Sequence, residues 1–199
     1  MSRLNIITPL TRGENLLALG SSIRKAIELN NYNLPVKWWI IIDPNCPPLE
    51  YTLDFFSIFP WANMIVANNQ APAGHKHRNY VLDILEKNYP DEYFYSLDDD
   101  NLLYESFINI VEANLEYSGI IGNQLLKGDI LRLKADPNNI RLNHIDTAQF
   151  AFKTKLLNGL RFDETRYDAD GVFIEKLYAD NKDSFIVLDQ PICYYNYLR

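Results

Sequence analysis

Tyr93-Phe-Tyr-Ser-Leu-Asp98-Asp99-Asp100-Asn101 sets an aromatic, apolar run directly before three adjacent carboxylates. Such residues over 93–97 predict a buried strand, and the acidic run marks its carboxyl end. Neighbouring carboxylates repel one another unless a cation or solvent compensates. Strand side chains alternate in direction, so Asp98 and Asp100 are expected to face one cleft. Oxygen ligands of this kind suit Mg²⁺ or Mn²⁺, which would also bridge a diphosphate. A solvated acidic turn is the competing reading, and the preceding apolar strand favours the metal site.

Outward from this run, strands alternate with helices. Leu4-Asn-Ile-Ile-Thr-Pro9 predicts a buried strand, and Thr11-Arg-Gly-Glu14 offers a capping box for the helix that carries Leu16, Leu19, Ile23, Ala26 and Ile27. Val36 to Ile42 is a second strand closed by Asp43-Pro44-Asn45, residues 49–59 predict a short helix, and Ala62 to Ala67 a third strand. Gly74 begins a helix whose apolar side carries Val81, Ile84 and Leu85. After Gly119 the pattern is less regular. Strands are expected near 119–121, 130–133 and 148–152, a helix over 168–179, and a last strand over Phe185 to Leu188. This order predicts a three-layer α/β fold with a mainly parallel sheet covered on both faces. Such sheets bind ligands beyond the carboxyl ends of their strands, here at Thr8, Asp43 and Asp98–Asp100. With no internal repeat or linker, residues 1–199 read as one domain with two functional halves.

Composition narrows the partners. Nineteen basic against 26 acidic side chains give a net charge of −7, which disfavours nucleic acid, whose general affinity comes from phosphate neutralisation. An anionic ligand would need local cations or a metal to overcome that field. Cys46 and Cys193 form neither a metal spacing nor a disulfide framework, which fits free thiols in a reducing cytosol. No signal peptide or membrane-length apolar run is visible, so a soluble, cytoplasmic protein is expected.

Gly74-His-Lys-His-Arg78-Asn79 supplies four potentially cationic side chains at a helix entry, with no comparable basic cluster near any other strand end. Glycine permits close backbone approach and helix N-terminal amides favour phosphate oxygens. An ordinary basic helix entry is the alternative, and His75 and His77 taken singly read as surface histidines. Further on, His144-Ile-Asp146-Thr-Ala-Gln-Phe-Ala151 precedes Phe162-Asp163-Glu164 and Tyr167-Asp168-Ala-Asp170-Gly-Val-Phe173. Phe173 and Leu177 stand on the presumed buried helix face. Asp170 falls in the first turn, facing the positive helix end, and an N-cap role for Asp168 or Asp170 stays open.

As an ordered set over residues 4–178, these segments resemble the GT-A fold nucleotide-sugar glycosyltransferases. Thr8-Pro9, the Asp43 strand end, Gly74…Arg78-Asn79 and Leu97-Asp-Asp-Asp100 occur in that family's order. Phe162-Asp163-Glu164, then Ala169-Asp170, then Lys176-Leu177 looks like the family-2 pattern, and Asp98–Asn101 with Ile145–Ala151 looks like the animal glucuronyltransferases. Two departures stand out: Ala169 replaces the glutamate of the Glu-Asp pair, and no histidine follows His144 to complete a metal site. The resemblance implies a nucleotide-binding half over 1–101 and an acceptor and catalytic half over 102–199. It implies that Thr8, Pro9, Asp43, His75, Arg78 and Asn79 hold the nucleoside and phosphates. Asp98 and Asp100 would face ribose and metal (Mn²⁺ or Mg²⁺), Asp99 would contact substrate, and Asp146 would lie near the donor sugar or acceptor. Asp170 would be the base, with Asp168 its close competitor. The expected partners are a UDP-sugar donor and a glycan or other hydroxyl acceptor, with inversion at the sugar.

Competing readings fare less well. A phosphatase reading of Asp98-x-Asp100 expects an early strand with a hydroxyl or β-branched residue shortly after, whereas Asn101-Leu102 follow. A nucleotidyltransferase expects a glycine-rich loop after the first strand, and Pro9-Leu-Thr-Arg-Gly13 is not one. A glycosidase needs two carboxylates at a separation that sequence cannot give. The non-enzyme alternative is a catalytically inactive sugar- or nucleotide-binding domain of the same fold.

Overall fold

Leu4–Leu10 (β1) is buried at every position, the signature of an interior strand covered on both faces. The computed structural model describes residues 2–47 and 54–199. β1 pairs in parallel with Val36–Ile42 (β2) on one side and Tyr93–Ser96 (β4) on the other, and β2 carries Ala62–Val66 (β3) at its far edge. Pro9 sits in this central strand without loss. Backbone groups of odd-numbered residues in β1 face β4, as Leu97 N donating to Ile7 O shows. The β4 ladder ends at Ile7–Ser96, so the missing N–H of Pro9 falls beyond it.

The sheet continues past β4 with strands from the second half of the chain. They are Phe150–Lys153 (β8), Gly119–Leu126 (β6), Phe185–Tyr194 (β9) and Leu102–Leu103 (β5), giving among the described residues eight strands in the order β3-β2-β1-β4-β8-β6-β9-β5 and a ninth, Ile130–Leu133 (β7), paired with β6 off that path. β8 is antiparallel to both β4 and β6, β9 runs parallel to β6, and β5 runs antiparallel to β9. The fold is therefore a three-layer α/β arrangement whose mainly parallel sheet turns mixed at one side.

Helices cover both faces. Leu16–Leu29 (α1), Asp54–Ile58 (α2) and Phe107–Ala113 (α4) pack with the even-numbered positions of β1 and with Trp38. His75–Asn88 (α3) and Ala169–Asn181 (α5) close the other face through Val81, Leu85, Phe173, Ile174 and Leu177. Leu16, Leu19, Ile23, Ala26 and Ile27 all bury, as their 3.6-residue spacing requires. Each large apolar side chain among them contributes about 1.5–3 kcal/mol by leaving water. The helix expected over 49–59 is realised as α2, and its residues 49–53 lie outside the described residues. No helix of the described residues is long and apolar enough to cross a membrane.

Two local expectations change, and a cap forms where none was expected. The Thr11–Glu14 capping box does not form, because Thr11 Oγ1 donates to Asp99 Oδ2 at 2.7 Å and the following 3₁₀ turn has no side-chain cap. A capping box does form at Asp146, whose carboxylate accepts from Ala148 N while Gln149 Oε1 accepts from Asp146 N. The last strand runs six residues beyond Leu188, to Tyr194, through register shifts against β6 that accommodate Pro191.

Candidate active site

The carboxyl ends of β1 and β4 open into a cleft of about 570 Å³. Its floor is the acidic run, which leaves β4 as a turn closed by Asn101 N donating to Asp98 O at 3.1 Å. All three carboxylates line the cleft, by virtue of that turn and not of strand alternation, and they are not equivalent. Asp99 is buried and pins the β1–α1 loop: its Oδ2 accepts from Thr11 N, Thr11 Oγ1 and Arg12 N at 2.6, 2.7 and 2.9 Å, and Oδ1 accepts from Arg12 Nη1. Asp100 Oδ2 takes Arg12 Nη1 at 3.2 Å and Arg199 Nε at 2.6 Å. Asp98 is half-buried and pairs with Arg78 Nη2. Burial pushes its carboxyl up to about 6; Asp146 and Asp100 add to the rise and Arg78 opposes it.

The β3–α3 connection supplies the opposite wall. Ala73 and Gly74 both adopt left-handed backbone, with φ of 51° and 71°. A Cβ on Gly74 would stand 2.6 Å from Pro9 Cβ, so only glycine permits this approach of the helix entry to β1. Arg78 is thereby fixed at almost every donor: Nε to Ser96 Oγ at 2.7 Å, Nη1 to Ala73 O and His75 Nδ1, and Nη2 to Asp98. The four cations expected of this segment reduce to one facing the acidic floor. His75 and His77 are buried, and burial, before any charge effect, lowers both below the usual histidine range. Lys76 points to a separate hollow beyond β3, lined also by Tyr80 and Val66. His75 stacks on Phe162 with ring centroids 5.5 Å apart, and its Nε2 lies 3.3 Å from Tyr167 O.

The third wall comes from the second half. Asp146 Oδ2 accepts from Arg132 Nη1 at 3.0 Å and Oδ1 from Gln124 Nε2 at 3.0 Å. Asp170, in the first turn of α5, accepts from Thr147 N and Oγ1. Asp168 does not cap the helix; its two oxygens take Arg166 Nε and Nη2, both at 2.9 Å, and that pairing holds its carboxyl below the usual range.

Of the residues singled out in the sequence, Pro9, His75, Arg78, Asp98, Asp99, Asp100, Asp146, Asp168 and Asp170 line one cleft. Thr8, Asp43 and Asn79 do not. Thr8 is fully buried and accepts from Trp38 Nε1. Asp43 accepts from Asn45 N and Ala71 N, fixing the loop behind the wall. Asn79 clamps the Phe162 segment, donating to Phe162 O and accepting from Phe162 N, both at 2.9 Å. The sequence reading missed Arg12, Arg132 and Arg199, three more cations that chain folding gathers at the cleft. It also missed Thr147, for which the only sequence signal was its adjacency to Asp146.

No protein-family model matches the chain, and no curated protein matches it in sequence. Solved structures do match in shape, and the fold they share with this chain is a GT-A, Rossmann-like one. The crystal structure of S. aureus TarS 1–349 superposes with a TM-score of 0.74 at 15% identity, over 96% of this chain and 60% of that one. TarS 1–349 in complex with UDP-GlcNAc gives a TM-score of 0.71 at 15% identity, over 97% and 58%. A 4-diphosphocytidyl-2C-methyl-D-erythritol synthase gives 0.52 at 15% identity, over 96% and 89%. The chain thus spans about 60% of the length of the TarS 1–349 structures.

Proposed function

We propose that this chain is a glycosyltransferase domain that moves a sugar from a nucleotide-diphosphate donor to an acceptor hydroxyl, with inversion. The observation that carries the reading is the convergence of Asp98, Asp100, Arg78 and Asp170 on one cleft at the strand ends. The TarS complexes with UDP and UDP-GlcNAc, on a similar fold, support a UDP-sugar as donor.

In this reading the donor diphosphate lies over the acidic floor. Among the described residues no three His, Cys, Asp or Glu side chains form a metal cage. Mg²⁺ and Mn²⁺ do not need one, since they bind through one or two carboxylates together with substrate phosphates and water. Asp98 and Asp100 fit that donor set and would hold the ion, which would neutralise the leaving diphosphate. Arg78, locked by Ser96, stabilises the same charge from the α3 side without reorganising.

Asp170 is the base. An acceptor hydroxyl loses its proton as it attacks, and a carboxylate positioned by two hydrogen bonds can take it. Thr147 provides those bonds. Asp168 is the poorer base, because its bidentate pairing with Arg166 favours the ion that accepts no further proton readily. Asp146 and Arg132 border the space between, where the transferred sugar would sit.

The test is transfer from UDP-GlcNAc and other UDP-sugars with Mn²⁺, following UDP release and the product's anomeric configuration by NMR. Retention of configuration overturns inversion; UDP-sugar binding without transfer to any acceptor or to water favours the inactive binding domain. A nucleotidyltransferase reading has the synthase likeness in its favour, and pyrophosphate release from a nucleoside triphosphate would establish it instead.

A further inference from the structure

Residues 195–199 return from β9 across the acidic turn. Tyr195 N donates to Leu125 O at 2.7 Å, Asn196 N to Asn101 Oδ1 at 2.8 Å, and Leu198 N to Asp100 O at 3.0 Å. These bonds deliver Arg199 Nε to Asp100 Oδ2, the same oxygen that takes Arg12 Nη1. The Asp100 carboxylate is nearly buried, at 6% exposure, while the Arg199 side chain keeps 54% and lines the cleft. Beneath them Asn101 is fully buried, and its Nδ2 has no partner among the described residues.

One oxygen that accepts from two guanidinium groups cannot offer the same lone pairs to a metal ion. An ion arriving alone at Oδ2 must therefore displace an arginine, and Arg199 is the one left without an anion, since Arg12 keeps its pair with Asp99. A diphosphate arriving with the ion removes that cost, because guanidinium pairs well with phosphate oxygens. We infer that Arg199 is a donor-binding residue that couples the two ligands: it holds Asp100 when the cleft is empty and turns to the donor phosphates when Asp100 takes a divalent ion. Coupling of this kind is reciprocal, so Mn²⁺ and nucleotide each raise the other's affinity by one common factor. The inference rests on the metal and donor roles proposed above.

Calorimetry on the full chain tests it, with Mn²⁺ alone, UDP in chelator and UDP in Mn²⁺ as titrants. Arg199→Ala should bind Mn²⁺ alone about threefold more tightly, since a competitor is gone. It should bind UDP in Mn²⁺ about fivefold more weakly, since a phosphate contact is lost. Arg199→Lys, keeping the charge, should fall between wild type and alanine on both. A merely structural residue would weaken both ligands together, and either that result or unchanged affinities overturns the coupling. If wild type binds UDP equally with Mn²⁺ and with chelator, the metal role falls and the coupling falls with it. Wild type showing no UDP binding at all removes the donor reading itself.

Discussion

Thr147 and Asp170 are joined twice: the amide and the hydroxyl of Thr147 both donate to Asp170 Oδ2, at 3.2 and 2.9 Å. Asp146 begins the same short turn, so one segment positions both Asp170, the proposed base, and the carboxylate that pairs with Arg132. Asp170→Asn is expected to lower turnover by about 10²–10⁴-fold while UDP affinity stays within about twofold. Asp168→Asn should lose far less. Thr147→Val keeps the amide bond and removes the hydroxyl, so turnover should fall about tenfold, or about 1.4 kcal/mol in the barrier. Steady-state kinetics with UDP titrations check all three, and near-normal turnover in Asp170→Asn would assign the base elsewhere.

Asp98 makes the cleft pH-sensitive in two opposed ways. Its folded-state pKa, about 6, lies above the ordinary carboxylate value. Its contribution to stability is therefore present below the unfolded pKa and is lost as pH rises through about 6. A divalent ion needs the ionised form, so Mn²⁺-dependent UDP affinity should weaken as pH falls below about 6. The check compares wild type with Asp98→Asn between pH 5 and pH 8, for thermal stability without metal and for UDP affinity with Mn²⁺. A stability difference that is flat across that range would contradict the raised pKa.

Arg78→Ala should weaken UDP binding and also lower stability. Arg78 is 2% exposed and engages Ser96, Ala73, His75 and Asp98, so its removal strands two buried partners, Ser96 and His75. Leaving such groups unsatisfied costs about 1–3 kcal/mol each before relaxation. Arg78→Lys restores the charge without the fork and should recover only part of either property. Thermal denaturation alongside calorimetry separates the two effects. Unchanged UDP affinity in a folded Arg78→Ala protein would leave this arginine a purely architectural role.

Asp99→Asn should behave unlike substitutions on either side of it. Its Oδ2 anchors Thr11 and Arg12 through three hydrogen bonds, so the loss is expected in stability, at about 2–4 kcal/mol, charged acceptors being the stronger ones. Chemical denaturation checks this. Asp100→Asn, measured in parallel, should be affected chiefly in Mn²⁺-dependent UDP binding.

The sequence reading succeeded where one physical signal dominated. β2 begins and ends where the apolar run of Val36–Ile42 does, and α1 buries the five residues that its periodicity marks. It failed where tertiary context decided. Phe107-Ile-Asn-Ile-Val-Glu-Ala, which the sequence reading assigns to no element, forms α4; its β-branched residues in a short apolar run fit a strand equally well. The last strand is expected to end at Leu188, yet a register shift carries β9 on through Pro191 to Tyr194. In the site, the acidic run was visible because its members are adjacent. Arg12, Arg132 and Arg199 were not, because nothing local tells a surface arginine from one delivered across the sheet to a carboxylate.

The pairing of Leu102 with Tyr194 bears on how the chain reaches its native state. That contact, like Thr11 with Asp99, joins residues almost half the chain apart. Closing such spans costs chain entropy before any bond rewards it, which slows folding in proteins dominated by distant pairings. β9 reaches its place only between β6 and β5, and it brings residues 195–199 to the acidic floor. A refolding experiment should therefore find sheet and helix signals returning ahead of UDP-binding competence, the cleft being among the last parts of the molecule to assemble.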